Sequence, residues 1–301
     1  MTMRLIALLV MGMSLLAQAD TDLPSYLLNR DSVVNTRHNM TQRQESGGST
    51  ISLTMGPYRN DYGEVCVYCH TPHAGNSTTP APLWNRTMKA SFYANYNSTT
   101  LDGTIVAPGV NSLTCLSCHD GVTAIDSIIN MPGSGGFLKN QETMQNDAFL
   151  DTWDNAQGPD ATQHLGLKLG SGRSCLECHS SFAGLVGTGA SNFIVFAIGT
   201  ELFNDHPVGV PYRDPSIYPG ADYRAADRIG KSMRFFDTDG DGRPDPDEIR
   251  FYDSGNGFRV ECASCHDPHG VPAKGGGPLF NKTFMRVAND GSKLCLTCHI
   301  K

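Results

Sequence analysis

The segment Cys66-Val67-Tyr68-Cys69-His70 carries the pattern that organises the whole chain. Two cysteines are separated by two residues, and a histidine follows the second cysteine directly. This C-x-x-C-H pattern occurs five times and uses all ten cysteines. The five copies are Cys66, Cys69 and His70; Cys115, Cys118 and His119; Cys175, Cys178 and His179; Cys262, Cys265 and His266; and Cys295, Cys298 and His299.

Covalent haem attachment explains every feature of this pattern. In c-type haem proteins the two thiols form thioethers with the porphyrin vinyl groups, and the adjoining imidazole binds the iron. Disulfides, which an exported chain with an even cysteine count would favour, do not require the histidines. Zinc knuckles do not require a trailing histidine either, and a thioredoxin-like site needs one motif in a βαβ setting. The sequence therefore predicts five haem c groups and no disulfides, with the proximal ligands His70, His119, His179, His266 and His299.

The composition agrees with a core built around cofactors. Of the 301 residues only 39% are hydrophobic, while glycine and proline occupy 32 and 17 positions. A globular chain of this length usually carries a larger apolar share, and a porphyrin is an apolar body comparable to several aromatic side chains. We expect a mostly irregular, loop-rich fold with short α-helices that begin at the motifs, organised around a stacked haem chain, and no extended sheet. The net charge of −7 argues against a nucleic-acid partner.

Residues 1–19 have the three parts of a secretory signal peptide. Arg4 precedes an apolar run from Leu5 to Leu16, and Ala17-Gln18-Ala19 offers a small-x-small cleavage site. The apolar run is too short to span a bilayer permanently, and no other stretch approaches that length. We therefore expect an exported protein without a transmembrane segment.

Five histidines lie outside the motifs and are candidate distal ligands: His38, His73, His164, His206 and His269. If each supplies a second axial position, every iron is six-coordinate with two imidazoles. His73 and His269 follow a proximal histidine by three residues, too close to reach the opposite face of their own haem, so we expect them to cap a neighbouring haem. Proximity within each repeat favours the haem at His119 for His73. By the same reasoning it favours the haem at His299 for His269, while surface histidines and methionine ligands stay as alternatives.

An internal repeat divides the chain. The C-x-x-C-H-x-P-H segments that start at Cys66 and Cys262 lead into similar hexapeptides, Pro82-Leu83-Trp84-Asn85-Arg86-Thr87 and Pro278-Leu279-Phe280-Asn281-Lys282-Thr283. Each unit continues to a second motif, and Gly133-Ser134-Gly135-Gly136 is typical of a flexible linker. The expected regions are an N-terminal segment with His38 (20–60), a haem-pair unit with haems 1 and 2 (61–130), a middle segment with haem 3, His164 and His206 (131–210), a connector (211–254) and a second haem-pair unit with haems 4 and 5 (255–301).

The connector contains a twelve-residue segment, Asp237 to Glu248, that matches a calcium-binding loop. Acidic residues occupy positions 1, 3, 5 and 9, glycine position 6 and glutamate position 12. The expected oxygen ligands are Asp237, Asp239, Asp241, Arg243 through its backbone carbonyl, Asp245 and Glu248. A weak entering helix over 228–236 and an exit helix near Pro246 would flank the loop. A solvated acidic turn without an ion is the alternative.

Several of these motifs together resemble a known family. The repeated C-x-x-C-H, its two extensions to C-x-x-C-H-x-P-H, the segment Asp205-His206-Pro207-Val208-Gly209 and the segment Pro82-Leu83-Trp84-Asn85-Arg86 are similar to multihaem c-type cytochromes of metal-reducing bacteria, most of all to their outer-surface, filament-forming (nanowire) members. The resemblance extends from about Arg59 to the end of the chain. It implies bis-His haems in a continuous stack, a homopolymer filament and an extracellular location. It also implies one axial histidine from the adjacent subunit, for which His38 is the candidate.

Two function classes fit such a chain. In an electron carrier every iron is saturated, and the protein passes electrons to other redox proteins and an extracellular acceptor without acting as an enzyme. In a multihaem reductase one iron keeps an open position for substrate, which would leave more motifs than spare histidines. The number of motifs equals the number of histidines outside them, five of each, which favours the electron carrier. A monomeric periplasmic shuttle is the alternative to a filament subunit, and a calcium-dependent scaffold would leave the haems without a purpose.

Overall fold

A computed structural model shows how the chain folds. It describes residues 29–41, 62–77, 79, 81–88, 93–101, 103–130, 166–168, 174–181, 192–230, 232–255, 257–274 and 279–300. The predicted signal peptide, the glycine-rich linker and His164 lie outside the described residues. Within them the fold is loop-rich with a few short helices, as predicted.

Each C-x-x-C-H motif lies in one turn of helix. Three motifs are in α-helices, which are α1 (Val110–His119), α2 (Cys262–Cys265) and α3 (Lys293–Cys298). The motifs at Cys66 and Cys175 lie in 3₁₀ turns instead, over Val65–Tyr68 and Cys175–Glu177. Further 3₁₀ turns are Val33–Asn35, Ile194–Phe196, Lys282–Phe284 and Asp290–Ser292.

The turn geometry explains why the motif has this spacing. The backbone N–H of the histidine donates to the carbonyl of the first cysteine, at 2.8 Å from His70 to Cys66 and 3.1 Å from His266 to Cys262. Residues three and four apart on such a turn lie on the same face. Both thiols and the imidazole of one motif therefore share one side of the turn, as a single porphyrin requires.

The described residues also form small sheets of short strands beside the loops and helices. The strands are β1 (Ala94–Asn95), β2 (Glu201–Leu202), β3 (Val210–Pro211), β4 (Arg228–Ile229), β5 (Met233–Phe235), β6 (Arg250–Asp253) and β7 (Phe258–Val260). An antiparallel sheet has the order β3-β7-β6-β5-β4, and β1 pairs with β2 in parallel. In the register of the five-stranded sheet, Tyr252 of β6 pairs with Met233 of β5 on one side and with Arg259 of β7 on the other. Such short strands cannot show the alternation that identifies a strand in sequence.

Two apolar clusters connect this scaffold to the motifs. Under the five-stranded sheet, Tyr212 stacks on Phe251 with ring centroids 3.8 Å apart, and the partly buried Cys298 packs against the same cluster. The second cluster contains Tyr62 and Tyr68, and the partly buried Cys69 packs against it. Motif cysteines near both ends of the described chain thus border an apolar cluster of side chains.

The acidic segment Asp237 to Glu248 joins two strands, so the predicted flanking helices are wrong. The residues before it form β4 and β5, which pair through Arg228 with Phe235, and β6 follows it. The backbone N–H of Gly230 donates to the carbonyl of Met233 at 2.7 Å and closes a tight turn between the strands. Pairing with β6 on the far side of β5 supplies ladder hydrogen bonds that outweigh a weak local helix preference.

Candidate functional site

No two motif cysteines are joined in a disulfide, and most of them are partly or fully buried. Burial raises the pKa of Cys69 to about 12 and that of Cys265 to about 11. A zinc centre needs thiolates, which burial disfavours. Among the described residues, the groups of side chains placed to share a metal ion contain carboxylates only. The thiols therefore suit attachment to an apolar group better than a zinc or disulfide framework.

Three of the five proximal histidines are held in one tautomer by backbone carbonyls. The Nδ1 atom lies 2.9 Å from the Pro82 carbonyl in His70, 2.7 Å from the Phe196 carbonyl in His119 and 2.8 Å from the Thr283 carbonyl in His266. A carbonyl oxygen only accepts, so Nδ1 carries the proton. The Nε2 lone pair is then available for a metal ion, in the orientation that such second partners impose on metal-bound histidines.

Two proximal rings face a distal candidate at the separation that a shared metal ion requires. The ring centroids of His70 and His269 are 6.2 Å apart, and those of His38 and His119 are 6.4 Å apart. A metal–imidazole bond is about 2 Å long and the ring centre lies about 1 Å beyond its nitrogen, so two rings on opposite sides of one ion have centroids roughly 6 Å apart.

The two distal rings in these pairs also have Nε2 available. His38 Nδ1 lies 2.9 Å from the Pro268 carbonyl, and its ring stacks on Phe284 with centroids 4.3 Å apart. His269 Nδ1 lies 3.1 Å from a carboxylate oxygen of Asp267. Burial lowers the pKa of His38 to about 4, although the Pro268 carbonyl opposes this shift, so the ring is neutral at physiological pH. A neutral imidazole is the form that binds a metal ion.

These placements correct the pairing expected from sequence proximity. His269 faces His70 of the other repeat rather than His299 of its own, and the ring opposite His119 is His38 rather than His73. The reason is tertiary. Packing of the C-terminal repeat on the N-terminal one brings together residues far apart in the chain, and sequence proximity carries no information on that contact.

The other distal candidates have different surroundings. Burial lowers the pKa of His206, the Pro207 carbonyl opposes this shift, and the charge of His299 adds to it. The His179 ring stacks on Phe193 with centroids 4.1 Å apart, and its candidate partner His164 lies outside the described residues.

His73 and His266 lack an opposing imidazole in the described part of the chain. His73 is exposed, and no ring contact involves it there. The His266 ring is held by the Thr283 carbonyl, and no described imidazole stands opposite it as His269 does for His70.

The repeat is less regular in structure than in sequence. Beside His70, the backbone N–H of Thr71 donates to the Leu83 carbonyl at 2.9 Å. Beside His266, the equivalent N–H of Asp267 donates to the Phe284 carbonyl at 2.9 Å. Phe284, with φ of 59°, therefore takes the place of Leu83, with φ of 51°, although the sequence repeat aligns Leu279 with Leu83. The stretch of chain between the proximal histidine and the residue whose carbonyl is bonded beside it is thus shorter in the first repeat than in the second.

A buried indole near His70 tests whether a haem fits this place. Trp84 is buried, its ring lies edge-on to His70 with centroids 5.8 Å apart, and its Nε1 has no hydrogen-bond partner in the protein. A buried indole N–H normally has an acceptor. A carboxylate of a porphyrin bound at His70 would supply one, so the residues present fit the group.

Sequence reasoning missed a buried carboxylate that joins α1 to α2. Glu261 is 1% exposed and accepts hydrogen bonds from the backbone N–H of Gly109 at 3.1 Å, from the Ser112 hydroxyl, and from the Ser254 hydroxyl at 3.1 Å. A Cβ on Gly109 would collide with this carboxylate and with Ser254, so a larger residue there would have to displace them. The sequence signal is weak, because Glu261 is simply the residue before the fourth motif.

The acidic segment brings its carboxylates together. Oxygen atoms of Asp237, Asp239 and Glu248 lie within 4.8 Å of one another, and so do those of Asp239, Asp241 and Asp245. Burial, and then the charges of the neighbouring acids, raise the pKa of Asp245. The predicted side-chain ligands thus form two groups that share Asp239, and each group is close enough to hold one cation.

The remaining bonds of the loop organise it around two carboxylates. Backbone N–H groups of Gly240 and Gly242 donate to Asp237 at 2.8 and 3.2 Å. The buried Glu248 accepts from the backbone N–H of Asp245 at 3.1 Å. Arg228 donates to Asp237 at 2.6 Å and is the basic group beside the cluster.

The loop-rich fold, the repeated motif turns and the opposed imidazoles together suggest a multihaem c-type cytochrome. A family model described as the doubled CXXCH motif matches residues 257–301, which include α2 and α3, and it supports covalently bound haem c. No curated protein matches the chain. Among the described residues no helix has the length and apolar character needed to cross a membrane, and c-type cytochromes are typically extracytoplasmic.

Proposed function

We propose that the protein is a pentahaem c-type cytochrome that carries electrons along closely spaced bis-His haems and is not an enzyme. The observation that carries this proposal is the pair of opposed imidazole sets, His70 with His269 and His38 with His119, at the separation of two axial ligands. The chain would attach the cofactors through the ten motif cysteines and bind their irons through the five motif histidines. The remaining assignments are His206 for the haem at His299 and His164 for the haem at His179.

The residues of the chain would place the attachment sites next to one another. The bound iron supplies one-electron redox chemistry. The Cys115 thiol hydrogen-bonds to Cys262, which raises the pKa of Cys115, and this contact joins the second motif to the fourth. Cys69 lies within electrostatic range of Cys118, and Cys298 of Cys265. These contacts relate the first, second, fourth and fifth motifs and support a path through four of the five proposed haems.

Haem counting tests the cofactor proposal. Intact-mass measurement of the mature protein should show five covalent haem additions, and a pyridine haemochrome assay should give the same ratio. Low-temperature EPR of the assembled ferric protein should show low-spin signals only. Fewer than five haems, or one high-spin haem that persists in the assembled protein, would contradict the proposed ligation.

The proposal includes export through the signal peptide and polymerisation into an extracellular filament that passes electrons to an external acceptor. The resemblance to filament-forming cytochromes supports it, while a monomeric periplasmic shuttle is the alternative. Electron microscopy of secreted material separates the two, because monodisperse particles in place of filaments would exclude the polymer. The regions 20–60, 61–130, 131–210, 211–254 and 255–301 are proposed as parts of one electron path rather than as independent domains.

A multihaem reductase is a second candidate, favoured only by the lack of a described imidazole opposite His266. Such an enzyme would keep that iron open in every assembly state. Cyanide should then bind one haem of the assembled protein as tightly as it binds the isolated protein. A large loss of cyanide binding on assembly would argue for the electron carrier.

We also propose that the Asp237 to Glu248 loop binds calcium. The sequence match and the convergence of its carboxylates support this, with Arg243 contributing its backbone carbonyl. Calorimetric titration of the calcium-free protein should show one site per chain. A Glu248→Gln variant should lose most of the affinity, because the bidentate carboxylate is the last ligand of such loops.

A further inference from the structure

Arg86 is a buried cation in the first haem-pair unit. Its side chain is 1% exposed. Nε donates to the Ser117 hydroxyl at 3.2 Å, and one terminal nitrogen donates to the Ser117 and Ala124 carbonyls at 2.6 and 2.8 Å. The other terminal nitrogen donates to the Ile125 carbonyl at 2.9 Å. All of these acceptors are neutral oxygen atoms, so the bonds satisfy guanidinium donors without cancelling the charge.

These bonds place the charge beside the second haem-attachment motif. Ser117 lies inside that motif, directly before Cys118. Burial raises the pKa of the Cys118 thiol, and the charge of Arg86 is the next largest influence and lowers it. Burial and the neighbouring Cys118 raise the pKa of Cys69 to about 12, and Arg86 opposes that rise as well. One guanidinium therefore acts on the attachment sites of the first and second proposed haems.

Two buried acids face the same motif and act in the opposite sense. Asp120 and Asp126 both raise the pKa of Cys118, each by less than Arg86 lowers it. The Asp120 carboxylate accepts from the backbone N–H of Thr123 at 2.9 Å and from its hydroxyl at 2.9 Å. The acids thus set the level from which Arg86 acts, and they do not change the sign of its effect.

A fixed cation beside a haem favours the reduced form. Oxidation of the iron adds one positive charge, which the cation repels, so the midpoint potential rises. Solvent and salt screen an exposed charge much more than a buried one. The burial of Arg86 therefore keeps its effect on the neighbouring haems large.

The second repeat provides a contrast. The sequence repeat aligns Arg86 with Lys282, and Lys282 is exposed. A solvated ammonium group is screened, so it should change the potential of a nearby haem much less. The same formal charge is thus buried in one unit and exposed in the other.

We propose that Arg86 is a potential-setting residue, whose buried charge raises the midpoint potentials of the first two haems and most of all that of the haem at His119. The inference rests on the proposed function, because it concerns haems bound at the first and second motifs. It assigns to the first haem-pair unit a residue that makes electrons reside there longer than they would without it.

A redox titration of the holoprotein followed by EPR tests the inference. Arg86→Gln removes the charge and should lower the midpoint potential of the haem at His119. A unit charge roughly 10 Å away, at an effective dielectric constant of about 20, changes the ratio of oxidised to reduced haem by about tenfold at a fixed potential. This change corresponds to a shift of about 59 mV for one electron. Arg86→Lys keeps the charge and should recover most of the shift.

The variant His38→Ala assigns the shift to a particular haem. It removes the ring opposite His119, so that haem should gain a high-spin signal of its own. In this background, Arg86→Gln should lower the potential at which the high-spin signal disappears on reduction. A shift confined to other haems would overturn the inference.

Lys282→Gln is the matched control, because it makes the same change of charge at an exposed position. It should leave all five midpoint potentials unchanged. An equal shift in Lys282→Gln and Arg86→Gln would overturn the inference. A loss in Arg86→Lys as large as that in Arg86→Gln would do so too, since the bonds rather than the charge would then set the potential.

Ser117→Asp tests the charge in a chain that keeps Arg86. A carboxylate in place of the hydroxyl would pair with Nε, and the guanidinium would keep its bonds to the Ser117 backbone carbonyl position and to Ala124. The variant should lower the same midpoint potential as Arg86→Gln. An unchanged potential in either variant with five haems attached would overturn the inference and leave the electron carrier intact. Fewer than five haems in the wild-type protein would instead contradict the proposed function.

Discussion

The two C-x-x-C-H-x-P-H segments of this chain differ at three positions, and the change from Thr71 to Asp267 is the one that acts on their last histidine. In the first segment the Thr71 hydroxyl donates to the backbone carbonyl of His73 at 2.9 Å, and the His73 ring is exposed. In the second segment Asp267 accepts from the backbone N–H of His269 at 3.0 Å and from its ring at 3.1 Å. The shared spacing forms the turn, and the carboxylate orients the ring.

The charge of Asp267 makes this orientation robust. Burial opposes ionisation, but the hydrogen bond from His269 and the charge of Arg286 hold the pKa of Asp267 at about 2. The same carboxylate raises the pKa of His269 through their hydrogen bond. Thr71 carries no charge and makes no bond to the His73 ring, so the first segment does not orient that ring within its own turn.

Removing His269 has the largest expected effect on this comparison. His269→Ala leaves the iron at His70 without the opposing imidazole, so the dilute protein should show one more high-spin haem in five than the wild type. His73→Ala should leave the spin state of the dilute monomer unchanged, because the ring contacts no proximal histidine of its own chain. Low-temperature EPR measures both, and equal effects would remove the distinction between the two segments.

Removing the carboxylate before the second segment should destabilise the fold strongly. Glu261→Ala leaves several buried donors unsatisfied, at about 1–3 kcal/mol each, so we expect a loss of roughly 3 kcal/mol in the free energy of unfolding. Glu64, near the start of the first segment, is exposed and makes no capping bond, so Glu64→Ala should cost less than about 0.5 kcal/mol. Chemical denaturation of the holoprotein measures both variants. A similar loss of unfolding free energy in the two would contradict the stabilising role of the Glu261 hydrogen bonds.

The same carboxyl adds a pH dependence. Burial raises the pKa of Glu261 above its ordinary value of 4.5, although hydrogen bonds from Ser112 and Ser254 oppose the shift. The folded protein thus binds a proton that the unfolded chain has released, and its stability falls as pH rises from 4.5 through the raised pKa. The difference in unfolding free energy between wild type and Glu261→Gln should vary over this window. A constant difference would show that the carboxyl does not titrate there.

Asp267 should have an intermediate effect, on ligand orientation rather than on the fold. Partners of metal-bound histidines typically contribute roughly 10–100-fold in affinity, so Asp267→Ala should lower the cyanide concentration that displaces His269 by about 10-fold. Asp267→Asn keeps an acceptor and should recover part of the loss. Thr71→Ala should leave cyanide binding at the haem of His70 unchanged, and an effect as large as that of Asp267→Ala would contradict the orienting role.

Calcium removal should have the smallest effect and should act on the second segment alone. The loop contacts that region through Lys274, which lies 3.0 Å from Asp247, and through Arg286, which donates to the Pro246 carbonyl at 2.7 Å. Chelation should lower the melting temperature by about 2–4 °C and increase hydrogen exchange in 262–300 but not in 62–88. Asp290→Asn, an exposed acid outside the loop, is the control and should keep the calcium response. An equal increase of hydrogen exchange in 262–300 and 62–88 would contradict an effect of calcium on the second segment alone.

Local features were predictable because their causes are local. The C-x-x-C-H spacing follows from one turn of helix, and the acidic segment converges because its ligands alternate along a single loop. The short strands β4 to β7 were not predictable, since two to four residues show no period. The hydrogen bonds of Glu261 were not predictable either, because its partners Gly109 and Ser112 lie about 150 positions away in the chain.

The sequence by itself is enough to predict which residues attach haem and which histidines are proximal, because covalent attachment and the first axial bond both lie within one five-residue motif. Only the tertiary structure decided which histidine faces which. His38 stands opposite His119 and His269 opposite His70 because the packing of distant segments sets the position of a ring that its own turn leaves free. For His269 the adjacent carboxylate of Asp267 completes the choice.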